Sequence, residues 1–198
     1  MMRRLLAATF ATALLLAVQP ASAAMFAFGA DMTGPAEAPP NTSPATGRAV
    51  VLFVDVAHRM TISVEFSGLI GRTTVAHIHC CTALAGTGVA SVATTTPSFP
   101  AFPVDVLSGT YTRVFDTLLA STYRSGFITA NGGTTAGAEA ALLSGLRSGK
   151  AYFNVHTQAF PGGEIRGFFV PAPQALSLVA LLLMAMPLLR RRRALVAA

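Results

Sequence analysis

The chain predicts an all-β fold: an antiparallel β-sandwich or Greek-key barrel with one or two short helices in an insertion. Three observations carry this. Apolar and polar residues alternate in several short runs, most cleanly at Met60, Ile62, Val64 and Phe66 with Thr61, Ser63 and Glu65 between them. Gly- and Pro-containing turns separate the runs. The stretch 24–173 is rich in Gly, Thr, Ala, Val and Phe and poor in Lys and Glu, which favours strands and turns over long surface helices. The alternative is an α+β domain with helix 136–146 packed on one open sheet.

The elements follow in order. Residues 25–46 form a Pro-rich lead-in with Pro35, Pro39, Pro40 and Pro44, read as an edge strand and an extended arm. Residues 47–56 and 60–66 are strands around a turn at Ala57-His58-Arg59, and Ser67–Gly71 is a second turn. A strand is expected over 73–80, a Gly-containing loop over 83–88 and an irregular linker over 94–103. Alternation resumes over 104–115, broken at Ser108-Gly109. Residues 118–130 hold a short helix or nothing regular. Ala138, Leu142 and Leu146 stand at helical spacing, so 136–146 is a short helix. Strands 150–157 and 164–170 flank a turn at Pro161-Gly162-Gly163. The expected core is Val50, Leu52, Ile62, Val64, Phe66, Ile78, Phe153, Val155, Ile165 and Phe168.

The two ends read as addresses. Met1-Met2-Arg3-Arg4, an apolar run over 5–18 and Ala21-Ser22-Ala23 make a signal peptide over 1–23. At the other end, 171–198 is a sorting segment: Val170-Pro171-Ala172-Pro173, an apolar helix over 174–189 and Arg190 to Arg193. The arginines belong on the cytoplasmic side, with the domain 24–170 outside. These ends also explain the pI near 10.4. They hold six of the fourteen basic residues, and the eight left face eight acidic ones. No basic patch remains to track phosphates, so no nucleic-acid partner is expected.

Chemistry concentrates in the histidines. On a strand, residues two apart share a face, so His77 and His79 stand side by side, a spacing suited to one metal ion. His156 is the third candidate, sharing a face with Tyr152 and Asn154; if the two strands are neighbours, three imidazoles converge on one copper or zinc ion. The bland alternative is a polar histidine seam. Cys81 continues the face if the strand runs on, as a thiolate ligand. Otherwise Cys80 and Cys81 form a vicinal disulfide or remain free. A regular strand would separate their sulfurs, so the strand is expected to end at His79 or Cys80. Glu164 and Arg166 share a face: a structural ion pair, partners for Glu37 or Asp31, or an arginine guarding an anion path to a metal. His58 reads as a solvated turn residue. There is no Gly-x-Ser-x-Gly, no phosphate-cradling loop and no paired-carboxylate motif.

Several of these segments match a known pattern. Gly34-Pro35-Ala36-Glu37-Ala38-Pro39-Pro40 with Ser43-Pro44-Ala45-Thr46-Gly47 resembles the opening of the CHRD domain. Ala76–His79, 149–157 and 160–167 resemble its other signatures. The resemblance covers about 26–170 and implies an all-β extracellular domain. The tail resembles the PEP-CTERM signal, with Ala172 where that signal has Glu. It implies a Gram-negative bacterium, an inner-membrane anchor and an exosortase-type processing enzyme in an exopolysaccharide matrix, after a signal peptidase has removed the leader. The order His77, His79, His156, Arg166 is also similar in layout to the copper site and guiding arginine of copper-zinc superoxide dismutases, which would make Arg166 catalytic. The expected function is therefore an exported envelope or matrix protein acting by binding or structure, transiently held by its C-terminal helix. The alternative is a copper-dependent, dismutase-like oxidoreductase.

Overall fold

The computed structural model of the chain describes residues 24–172; the expected leader and the apolar part of the sorting segment lie outside them. Eight strands follow along the chain: β1 (Met25–Thr33), β2 (Thr46–Val54), β3 (Arg59–Ser67), β4 (Thr73–His79), β5 (Gly109–Asp116), β6 (Tyr152–Thr157), β7 (Ile165–Phe168) and β8 (Val170–Pro171). Two helices, α1 (Ser125–Ala130) and α2 (Thr135–Arg147), lie between β5 and β6. The strands form one antiparallel sheet in the order β4-β6-β7-β1-β2-β3-β5, with β8 beside β1. It curls into a half-barrel, and the expected all-β class holds.

Local chemistry sets the turns. A short 3-10 turn, Asp55–Ala57, joins β2 to β3 and ends on His58, whose φ of 49° is left-handed. Helix α2 starts on Thr134, whose hydroxyl accepts from Gly137 N–H at 3.1 Å. Its Ala138, Leu142 and Leu146 recur every fourth residue and are all buried.

Two expectations are corrected. β1 is no edge strand: it pairs with β2 along its whole length and with β7 and β8 on its other side. The prolines begin only at Pro35, after β1 has ended at Thr33, so they do not block its ladder. Residues 104–107 are not strand either. Thr73 exchanges hydrogen bonds with Val106 and Asp105 there (both 2.9 Å), which ties the segment to β4 as a loop.

The core fills the concave side. Phe28, Ala30 and Met32 meet Val51 and Phe53, then Met60, Ile62, Val64 and Phe66. Val50 is only half-buried because Val51 and Phe53 face inward and neighbours alternate. Phe168 gives way to fully buried Phe169 for the same reason. The irregular segment 91–107 plugs the open side with two aromatic rings. Phe99 stacks on Phe153 at 5.8 Å between centroids and Phe102 on Phe66 at 5.7 Å.

Candidate metal centre

The β4–β6 ladder sets His77 opposite Asn154 and His79 opposite Tyr152; on β6, His156 follows two residues after Asn154. All five side chains stand on one face of the sheet. Ring centroids are 5.5 Å apart for His77 and His156, 5.8 Å for His77 and His79, and 6.2 Å for His79 and His156. One ligand nitrogen from each ring lies within 4.8 Å of the others. An ion at ~2.1 Å from three tetrahedral nitrogens needs them ~3.4 Å apart. The nitrogens are thus at most about 1.4 Å farther apart than that, 4.8 Å against ~3.4 Å.

Each ring is fixed by a backbone carbonyl. His79 Nδ1 meets Ala90 O at 2.9 Å, His156 Nδ1 meets Pro161 O at 2.9 Å, and His77 Nε2 meets Pro97 O. A carbonyl only accepts, so these nitrogens carry the protons and donate. The remaining nitrogens, His77 Nδ1, His79 Nε2 and His156 Nε2, are buried and have no hydrogen-bond partner among the described residues. Orienting one ring nitrogen so that the other presents its lone pair is how proteins prepare histidine for a metal.

Electrostatics keep the rings neutral. Burial pushes the His79 imidazole down to about 4, and the nearby rings of His77 and His156 and the charge of Arg166 act in the same direction against its hydrogen bond to Ala90. Burial also lowers His77 and His156. Three unprotonated lone pairs converging without a donor between them repel one another. A cation relieves that repulsion.

The unpartnered atoms extend into the neighbouring row. Among the described residues, the other buried side-chain atoms without a partner are Glu37 Oε1 and Asn154 Oδ1. The ladder runs His77, Asn154, Arg166 across β4, β6 and β7. Glu37 Oε2 lies 3.9 Å from Arg166 Nε. Burial outweighs that attraction and pushes the Glu37 carboxyl up to about 7. The pair is thus a weak ion pair at neutral pH. Gly163 makes room for it: a Cβ there would stand 2.6 Å from Asn154 Oδ1 and 2.7 Å from Glu37 Oε1.

The other expected site residues sit elsewhere. Cys81 is bonded to Cys80, and its sulfur faces Ala141 O of α2 at 3.7 Å, so its thiolate is not in the converging set. β4 ends at His79, where the sequence placed its end. Arg166 is 5% exposed; it donates to Ala36 O and, at 3.0 Å, to Gly88 O. A guanidinium so covered is a clamp on two loops and does not face incoming anions, so the dismutase-like role loses its guide. Arg166 also does not pair with Glu164. That carboxylate is fully buried and takes hydrogen bonds from Ser43, Ile70 N–H, Gly71 N–H and Thr157. His58 is no bare turn residue: its ring binds Glu139 of α2 at 3.0 Å. Tyr152 was legible only as a face-mate of His156. The orienting carbonyls of Ala90, Pro97 and Pro161 have no side-chain signature.

Known proteins add one finding. The CHRD domain family matches residues 28–169, which span the chain from β1 to Phe169 and include all three histidines. The chain belongs to the CHRD-domain family. No curated relative and no solved structure matches it. CHRD domains are generally extracellular, with a binding role. Among the described residues of this CHRD domain, no helix is long and apolar enough to cross a membrane; the stretch expected to do so, 174–189, lies outside them.

Proposed function

We propose that this CHRD domain is exported to the cell envelope or extracellular matrix and acts there by binding. Its working centre is one copper or zinc ion held by His77, His79 and His156. The observation that carries this is the convergence of three neutral imidazoles, each anchored through its other nitrogen. Imidazole nitrogens suit both metals, and the general affinity order favours Cu(II) among the divalent ions. Three protein ligands leave a coordination position for an outside ligand. His79 and His156 are half-buried, while the nitrogens that would hold the ion are themselves buried.

The ends of the chain support the export part. Signal peptidase removes 1–23. The PEP-CTERM-like segment 171–198 holds the domain at a Gram-negative inner membrane until an exosortase-type enzyme releases it toward an exopolysaccharide matrix. Cell fractionation tests this: intact chain in the cytosol, with the leader attached, would overturn it. The metal part is tested on the purified full-length chain. Competition against a chromophoric chelator should show one equivalent of Cu(II) or Zn(II). His77→Ala, His79→Ala and His156→Ala should each weaken binding by about 100-fold or more, a loss of ~2.7 kcal/mol of binding free energy. Unchanged affinity in all three variants would return the site to a polar seam.

A further inference from the structure

The residue after His79 begins a second reactive group. Cys80 and Cys81 are joined to each other, and the described residues hold no free cysteine. The two sulfurs differ in access: Cys80 is 4% exposed, whereas Cys81 is exposed. Beside them lies an open groove of about 540 Å³, lined by Ser91, Arg124, Phe127 and Asn131 as well as the pair itself. The Arg124 guanidinium gives that groove a positive charge, which favours an approaching thiolate.

The pair is also seated without slack. α2 passes so close that a Cβ on Gly145 would strike the Cys80 sulfur and lie 2.6 Å from that of Cys81. On the strand side, Cys80 N–H donates to Ser91 O at 3.1 Å, next to Ala90, whose carbonyl orients His79. When the bond opens, two unbonded sulfurs need ~3.5–4 Å between them, the ordinary non-bonded separation. On the α2 side there is no room for that. The sulfurs must therefore part away from α2, Cys81 toward the groove and Cys80 along the end of β4, which is His79.

We propose that Cys80–Cys81 is a thiol–disulfide exchange site for an external dithiol, and that opening it loosens His79. A thiolate of the dithiol attacks the exposed Cys81 Sγ. The Cys80–Cys81 bond breaks as a mixed disulfide forms on Cys81, and the Cys80 thiolate leaves and takes a proton. The second thiolate of the dithiol then displaces Cys81, which is protonated in turn. The protein gains two electrons and two protons, and the dithiol closes to its own disulfide. The coupling to His79 rests on the metal reading above; the exchange chemistry does not.

The test uses the full-length chain. Dithiothreitol followed by iodoacetamide should label both cysteines under native conditions, with circular dichroism showing the fold retained. With glutathione, peptide mapping should find the mixed disulfide on Cys81. Labelling that requires denaturant, or a mixed disulfide on Cys80 alone, would overturn the exchange site. Zn(II) affinity is then compared for the oxidised chain, the reduced and desalted chain, and Cys80→Ser/Cys81→Ser. Both opened forms should bind about tenfold more weakly. By reciprocity, zinc should make the disulfide tenfold harder to reduce, about 30 mV for a two-electron couple. Equal or tighter binding in the opened forms would overturn the coupling. If the oxidised chain binds no zinc, the metal reading fails and the coupling with it, while labelling still decides the exchange site.

Discussion

The ring of Tyr152 lies flat against that of His79, with centroids 4.7 Å apart and planes 7° from parallel. Its hydroxyl accepts from Ala90 N–H at 3.3 Å, on the residue whose carbonyl takes the His79 proton. The Arg166 guanidinium stands 5.0 Å from the same tyrosine ring. One side chain thus holds His79 both by its face and through its loop. Tyr152→Leu should lower Zn(II) or Cu(II) affinity by about tenfold, the lower end of what groups that orient a ligand contribute. Tyr152→Phe keeps the stack and should lose less. Competition titration of both variants decides; equal losses would show that the stack is irrelevant.

Acid should release the metal late. The three histidines have pKa values below the ordinary 6.5, His79 at about 4, so protons compete more weakly than at ordinary histidines. The metal-free fold follows the same groups. Below pH 6.5 the unfolded chain takes up protons that the folded chain refuses, so this contribution to stability falls as pH drops from 6.5 toward 4. Denaturant titrations of the metal-free chain at pH 4.5, 5.5 and 6.5 would measure it.

Glu37 has the opposite sign. Its folded pKa, about 7, stands above the ordinary 4.5. Its contribution is fully present below pH 4.5 and is lost as pH rises through 7. Glu37→Gln cannot ionise, so its stability should decline less than that of the parent between pH 5 and 8. Parallel profiles would place the proton elsewhere.

Glu164 behaves as an ordinary acid in an unusual place. Burial opposes its ionisation, but hydrogen bonds from Ser43, Ile70, Thr157 and Gly71 prevail and lower its pKa. Its contribution is present above the ordinary value of 4.5 and lost as pH falls through the lowered one. Glu164→Gln puts an amide NH2 where one carboxylate oxygen accepted a backbone N–H, from Ile70 or from Gly71, and should cost about 3 kcal/mol, measured by chemical denaturation near neutral pH.

Gly145→Ala tests the seat of the disulfide. The added methyl meets both sulfurs. An overpacked site of this kind costs about 1–3 kcal/mol. Reduction needs the sulfurs to part in a seat the methyl has already filled, so the variant should lose more stability than the parent on treatment with dithiol, as read by thermal unfolding.

What could be read from the residues follows from what was one-sided. β3 buries Met60, Ile62, Val64 and Phe66 on one face alone, so alternation revealed it. β6 is buried on both faces, and only its flanking turns marked it. The central place of β1 depends on Thr33 meeting Arg166, a pairing between distant segments that local pattern does not encode. His77, His79 and His156 were legible because period two puts them on matching faces. Their orientation was not, because it comes from main-chain carbonyls that any residue supplies. The vicinal bond stood among the alternatives, but its packing against Gly145 of α2 brings together segments far apart in the chain.

The irregular segment 91–107 has one more consequence. β4 ends the sheet order, yet its outer edge is occupied: Cys80 N–H reaches Ser91 O, Ala93 N–H reaches Ile78 O and Asp105 N–H reaches Thr73 O. An open strand edge is a template on which further copies of a chain can add by main-chain pairing. The segment that brings Phe99 and Phe102 into the core therefore also covers the outer edge of β4. Shortening it should produce fibrous aggregates before it produces an unfolded chain.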